Sequence, residues 1–108
     1  MIEITIKNYL DEVLDVPVCL AKPRSQKPKS FVLLEKTSGG LKDKINSATL
    51  AIQSYGPTAY DAAALNDKVK MAILAFDEIG GVKLNSDYNF TDTLTKEHRY
   101  QAVFDFYY

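Results

Sequence analysis

The stretch TAYDAAALNDKVKMAILAFDEIGG, residues 58–81, decides the architecture. Ala62, Leu65, Val69, Ala72, Ile73, Phe76 and Ile79 recur at steps of three and four, the spacing that lines one side of an α-helix. Asp61, Asn66, Lys68 and Lys70 fall mainly off that stripe. Thr58 is placed to cap the first turn, and Asp61 three residues later makes a rough capping box with a charge suited to a helix N-terminus. Gly80-Gly81 predicts the stop. One amphipathic helix cannot bury its own stripe, so it needs a sheet to lie on.

The flanking sequence supplies that sheet. Val82-Lys83-Leu84 reads as a short strand, and Asn85 to Asp92 as a polar, turn-rich connection containing Tyr88 and Phe90. Glu97 to Tyr107 then alternates, with His98, Tyr100, Ala102, Phe104 and Phe106 on one side and Arg99, Gln101, Val103, Asp105 and Tyr107 on the other. Upstream, Ile45 to Tyr55 has the same period with two weakly distinguished faces, and Gly56-Pro57 ends it. Phe31-Val32-Leu33-Leu34 is a further strand, which Ser38-Gly39-Gly40 is predicted to close. Residues 22–30, KPRSQKPKS, hold two prolines, four bases and no acid, and read as an exposed basic loop. Residues 17–21 make a short apolar strand. Ile2, Ile6, Leu10, Val13 and Leu14 mark an N-terminal amphipathic helix that must end before Pro17. The order is helix, three strands, long helix, two strands. It predicts one α+β domain over residues 1–108, an antiparallel or mixed sheet of four to five strands with two helices on one face.

A chain of 108 residues can bury roughly 65% of its unfolded surface, enough for a modest core without disulfide or metal. The net charge of -1 gives no global attraction to nucleic acid or anionic lipid, so charge arguments must be local. No apolar run is long enough to span a bilayer, and the opening MIEITIKNYLDEVL carries acids where a signal peptide carries lysines, so a reducing cytoplasm is the expected compartment.

Chemistry-bearing residues are sparse. Cys19 sits in the apolar run Val18 to Ala21 and reads as a small buried hydrophobe. His98 is the only histidine, with no cysteine nearby, and is expected to be a strand residue facing solvent or a satisfied pocket. Asp11, Glu12, Asp15, Asp77 and Glu78 read as solvated helical carboxylates. Neither glycine pair continues into a phosphate-binding pattern, and turns explain both. Asn89-Phe90-Thr91 matches the glycosylation triplet without the secretion signal that would give it meaning. No catalytic, cofactor or metal residue is expected, and an enzyme ranks last among the functional readings.

Two clusters point to interfaces. Lys22, Arg24, Lys27 and Lys29 fall within eight residues and suit an acidic protein surface better than nucleic acid, since phosphate contact without interleaved aromatics would be blind to sequence. Tyr100, Phe104, Phe106, Tyr107 and Tyr108 crowd the end of the chain. Alternation buries the first three, and leaves Tyr107 and Tyr108 as adhesive aromatics on what is expected to be an edge strand.

Taken together, the N-terminal amphipathic helix, the Val16-Pro17-Val18 strand, the loop into Phe31-Val32-Leu33-Leu34, the polar strand ending Gln53-Ser54-Tyr55-Gly56, the long Ala-rich helix and the closing His98-Arg99-Tyr100-Gln101-Ala102 strand form a pattern. It resembles the small tail-completion and tail-terminator proteins of long-tailed bacteriophages and prophages over nearly the whole chain. The resemblance implies a structural role in the virion neck, assembled in the bacterial host cytoplasm. There a six-subunit ring caps the tail tube and joins it to the head connector. The implied partners are other copies of the chain, the tail-tube protein and the connector proteins, with no cofactor, membrane or specific nucleic acid. Lys22, Arg24, Lys27 and Lys29 would face an adjacent subunit or the connector, Tyr107 and Tyr108 a subunit boundary. The polar loop from Asn85 to Thr95 would order on assembly. The alternative from another class is a free-standing adaptor or regulatory binding module.

Overall fold

The computed structural model describes residues 1–24, 28–42 and 45–108. Among these, seven elements follow in chain order: helix α1 (Ile2–Val13), strands β1 (Val18–Cys19), β2 (Phe31–Lys42) and β3 (Ile45–Gly56), helix α2 (Ala59–Leu74), and strands β4 (Gly81–Asn89) and β5 (His98–Tyr107). The strands form one mixed sheet in the order β1-β2-β3-β5-β4. β1 pairs parallel with β2, and every other pair is antiparallel. The fold is α+β, with both helices packed over one face of the sheet.

Alternation builds that face. Ala48, Leu50 and Ile52 of β3 and Ala102, Phe104 and Phe106 of β5 point into the layer that receives Ile2, Ile6 and Leu10 of α1 and Leu65, Val69 and Ile73 of α2. Each large aliphatic or aromatic side chain taken out of water there contributes roughly 1.5–3 kcal/mol. The helices also lock to one another and to the sheet by polar contacts. Tyr9 donates its hydroxyl to the Ala72 carbonyl at 2.7 Å, and its ring lies 4.6 Å from that of Phe76. Asn66 of α2 donates to Asp87 of β4 at 2.7 Å, and the same carboxylate pairs with Lys70.

The predicted cap forms. Thr58 Oγ1 accepts from the Asp61 backbone N–H at 3.1 Å and donates to the Asp61 carboxylate at 2.9 Å. It starts α2 directly against the end of β3. A Cβ on Gly56 would lie 2.7 Å from the Ala62 nitrogen and 2.9 Å from the Asp61 carbonyl carbon, so only glycine permits this approach.

Several predicted boundaries shift, each for a physical reason. α2 ends at Leu74 instead of running to Gly80-Gly81, so Asp77 and Glu78 lie beyond the helix. Phe76 and Ile79 reach the core from the connection into β4, and hydrophobic spacing alone cannot distinguish that from another helical turn. Ser38-Gly39-Gly40 does not close β2; the strand continues through it to Lys42, with neither glycine at positive φ. Glycine tolerates turns but does not compel them when a partner strand is present, and here β3 supplies one. Asn85 to Asn89 belongs to β4, since β5 presents a long pairing edge that overrides the turn-like composition. Its strand register removes the first part, Asn85 to Asn89, of the loop expected to order on assembly. β1 shrinks to Val18–Cys19, and Cys19 is half-buried. β5 lies inside the sheet, between β3 and β4, so Tyr107 is not on an edge strand.

β2 and β4 each carry one irregularity. The register shifts between Lys36 and Ser38 in β2 and between Leu84 and Ser86 in β4, leaving Thr37 and Asn85 as extra residues. Both bulges adjoin the row in which Lys36, Leu50, Phe104 and Leu84 lie side by side.

Gly56→Ala is expected to lower unfolding free energy by about 1–3 kcal/mol in urea denaturation, because backbone atoms of α2 must shift. Gly81→Ala is the control: an added Cβ there meets nothing within 4 Å, and the change should stay within about 0.5 kcal/mol.

Candidate interaction surface

The period that puts Leu50 and Phe104 under the helices puts Thr49, Gln53 and Tyr55 of β3, and Arg99, Gln101 and Asp105 of β5, on the opposite face. Much of that face is not open. Gln53 and Gln101 are only 7% and 8% exposed, and Tyr55 is 3% exposed. Amides taken out of water must be paired, and these are joined in series. Arg99 donates to the Tyr55 hydroxyl at 3.0 Å, Tyr55 to Gln53 at 2.9 Å, and Gln53 to Gln101 at 2.9 Å; Gln101 donates to the Tyr88 hydroxyl. Aromatic contacts extend the seam. Tyr55 stacks on Phe31 with ring centroids 4.3 Å apart, and the Arg99 guanidinium lies 4.4 Å from the Phe90 ring centroid.

At one end of this seam Lys22, the first residue of the basic stretch, meets the sheet. Lys22 pairs with Glu97 at 2.6 Å and lies 5.7 Å from the Tyr55 ring centroid. The hydrogen bond that Lys22 donates to Glu97 raises the ammonium above its ordinary pKa. Lys22 is therefore partly committed within its own chain, whereas Arg24 and Lys29 are exposed. Lys27 lies outside the described residues. Lys29 lines a shallow cleft of about 220 Å³ with Phe31, Tyr55, Lys96 and His98. His98 is half-buried, at the first position of β5.

The turn joining β4 to β5 borders the same end. Phe90 N–H bonds the Arg99 carbonyl at 2.9 Å, and Asp92 N–H bonds the Glu97 carbonyl at 3.2 Å. Inside that frame the Asp92 carboxylate accepts from the Leu94 and Thr95 backbone N–H groups at 2.9 and 3.3 Å, which lower its pKa. Lys96 has φ of 58°, the sole non-glycine residue at positive φ among those described.

Tyr107 and Tyr108 sit at the far end of β5, roughly 30 Å from His98 by the rise of a strand. Both are exposed, at 43% and 39%. The Tyr108 main chain exchanges two 2.8 Å hydrogen bonds with Asn46, so the pairing with β3 runs to the last residue. Lys22 and Lys29 on the one hand and the two tyrosines on the other thus occupy opposite ends of the sheet. Beside the tyrosines, the β2–β3 hairpin exposes Leu41 and Ile45, at 70% and 53%.

Sequence reasoning passed over Arg99, the glutamine pair and Leu94. Gln53 and Gln101 carry no local signal of their burial, which depends on a pairing distant in sequence. Leu94 did leave a signal: one aliphatic residue inside the polar run Asp92-Thr93-Leu94-Thr95.

Among the described residues, no group of three or more His, Cys, Asp or Glu side chains gathers, and no helix is long and apolar enough to cross a membrane. Compared with known proteins, the chain matches no family model and no curated protein.

Gln101→Leu removes the acceptor of Gln53 and the donor to Tyr88 together, and should cost about 1–3 kcal/mol in chemical denaturation. The double variant with Gln53→Leu is expected to lose less than the sum of the single changes. A second expectation concerns acid. Asn85 at 3.0 Å and Thr49 at 2.7 Å donate to Asp105 and lower its pKa from 3.8. A depressed carboxyl stabilises the fold above its unfolded value and loses that contribution as pH falls through the folded value. Melting temperature should therefore drop below pH 3.8 more steeply in the wild type than in Asp105→Asn.

Proposed function

We infer that this protein is a structural, non-catalytic subunit of the neck or tail of a long-tailed phage or prophage. In this reading it caps the tail tube and joins it to the head connector as part of a ring, hexameric by the resemblance, built in the host cytoplasm and retained in the virion. The observation that carries the reading is the unlike chemistry of the two ends of an elongated molecule, whose extents are 43 × 27 × 24 Å. One end presents Leu41 and Ile45 on the hairpin with Tyr107 and Tyr108 beside them, apolar and aromatic groups of the kind that form interface cores. The other presents the exposed bases Arg24 and Lys29, with Lys29 lining the Tyr55 cleft. A joining piece needs two different surfaces for two different neighbours, and ring closure needs a third pair of surfaces between copies.

The adaptor reading draws on a separate observation, the exposed Tyr60, Met71 and Leu74 on α2. It predicts a stable monomer or dimer with one partner, and light scattering over a range of concentrations separates it from ring assembly.

The decisive experiment mixes the protein with the tail-tube subunit of its own phage and images the product by negative stain. Tubes of bounded length ending in a ring are expected. Tubes that grow without limit and end bare would rule the reading out.

A further inference from the structure

Leu94 is the most exposed large hydrophobic side chain among the described residues, at 92%. It is not on a slack loop. Its own backbone N–H is held by Asp92 at 2.9 Å, the strands on either side are bonded across the turn, and Arg99 ties the base of the turn by donating to the Phe90 carbonyl at 2.7 Å. Two residues on, the exposed Lys96 keeps a left-handed backbone that costs a non-glycine residue on the order of 1 kcal/mol. The turn therefore presents one aliphatic side chain and one ammonium group from a braced backbone, and Leu94 packs little against its own chain.

A different surface of the molecule carries the complement. Where the chain leaves α1 and passes the first turns of α2, a groove of about 230 Å³ is lined by the apolar Val16, Ala64 and Leu65, by the carboxylates Asp15 and Asp61, and by Lys68. Its volume admits a branched aliphatic side chain. Its two acids outweigh its one base, and Asp15 carries no ion pair among the described residues. Asp15 and Val16 lead directly into β1, while Leu94 joins β4 to β5. The groove's other wall, Asp61, Ala64, Leu65 and Lys68, belongs to α2, so knob and groove are built from different segments of the chain.

We propose that Leu94 of one copy seats in this groove of an adjacent copy, with Lys96 facing Asp15 and Asp61. The inference rests on the ring reading above and specifies its lateral contact. Because knob and groove are different surfaces, the contact is head-to-tail. Each copy offers both a knob and a groove, so the contact propagates in one direction and closes where the rotation allows.

The test uses cysteine pairs in a Cys19→Ala background. Leu94→Cys and Ala64→Cys, purified separately and mixed under mild oxidation, should yield a covalent dimer and nothing larger. The chain carrying both substitutions should yield a ladder of covalent oligomers. In sedimentation, Leu94→Asp should weaken self-association roughly tenfold or more, as for loss of a central anchor, with an unchanged melting temperature because the side chain is exposed. Lys96→Glu should weaken it too, and mixing with Asp15→Lys should restore it. Cross-linking no greater than that of Leu94→Cys mixed with Lys83→Cys, or association unaffected by Leu94→Asp, would overturn the proposal. The two readings fail separately. Tubes capped equally well by Leu94→Asp would remove this contact and leave the neck role standing. Covalent ladders from a protein that never caps tubes would do the reverse.

Discussion

The ladder between β3 and β5 is the constraint on which the rest of the molecule depends. Ten residue pairs run from Ser47 opposite Tyr107 to Gly56 opposite His98, joining segments some fifty residues apart in the chain. On one side of the ladder Leu50, Ile52, Phe104 and Phe106 provide the surface the helices need. On the other, Thr49 with Asp105 and Gln53 with Gln101 are matched polar pairs. A slip of one residue would send the phenylalanines to the polar side and the glutamines beneath the helices, so register is fixed from both faces at once. α2 connects the two halves of this ladder. Its cap at Thr58 and its seat on Gly56 place it immediately where β3 ends.

The seam from Arg99 to Tyr88 does more than satisfy buried amides. It couples the ends of four strands: Phe31 of β2 through its stack on Tyr55, Tyr55 and Gln53 of β3, Gln101 and Arg99 of β5, and Tyr88 of β4. A series of directional contacts of this kind rigidifies the sheet end on which the basic residues and the β4–β5 turn are mounted. Toward the opposite end Asp105 accepts from Thr49 and Asn85, linking β3, β5 and β4, and Leu41, Ile45, Tyr107 and Tyr108 are exposed beyond it.

The elements legible in the sequence are those whose signals are local. The α2 stripe as far as Ile73 and its Thr58 cap, the α1 stripe ending ahead of Pro17, and the alternation of β5 all correspond to what forms. What misled were residues whose role is set by a distant partner. Gly39 and Gly40 were expected to turn and instead extend a strand, because β3 lies alongside to accept it. Asn85 to Asn89 has the composition of a loop and is held as a strand by β5. The candidate surface was half legible. Clusters of lysines and tyrosines are visible as composition, and both are exposed where described, but their separation to opposite ends follows from topology. Gln53, Gln101 and Arg99 could not be singled out, since nothing near them in sequence indicates that they meet.

The bulges at Thr37 and Asn85 have a consequence for how copies of this protein can meet. β4 forms one margin of the sheet, and beyond Cys19 the distal part of β2 forms the other. A margin becomes a template for fibrillar growth when it offers a long, even row of amide and carbonyl groups to an incoming strand. Here each row is broken in its interior by an inserted residue, which bends the strand and sharpens its local twist. Runaway stacking of sheet on sheet is thereby discouraged at both borders, leaving side chains, not backbone, to select the neighbour.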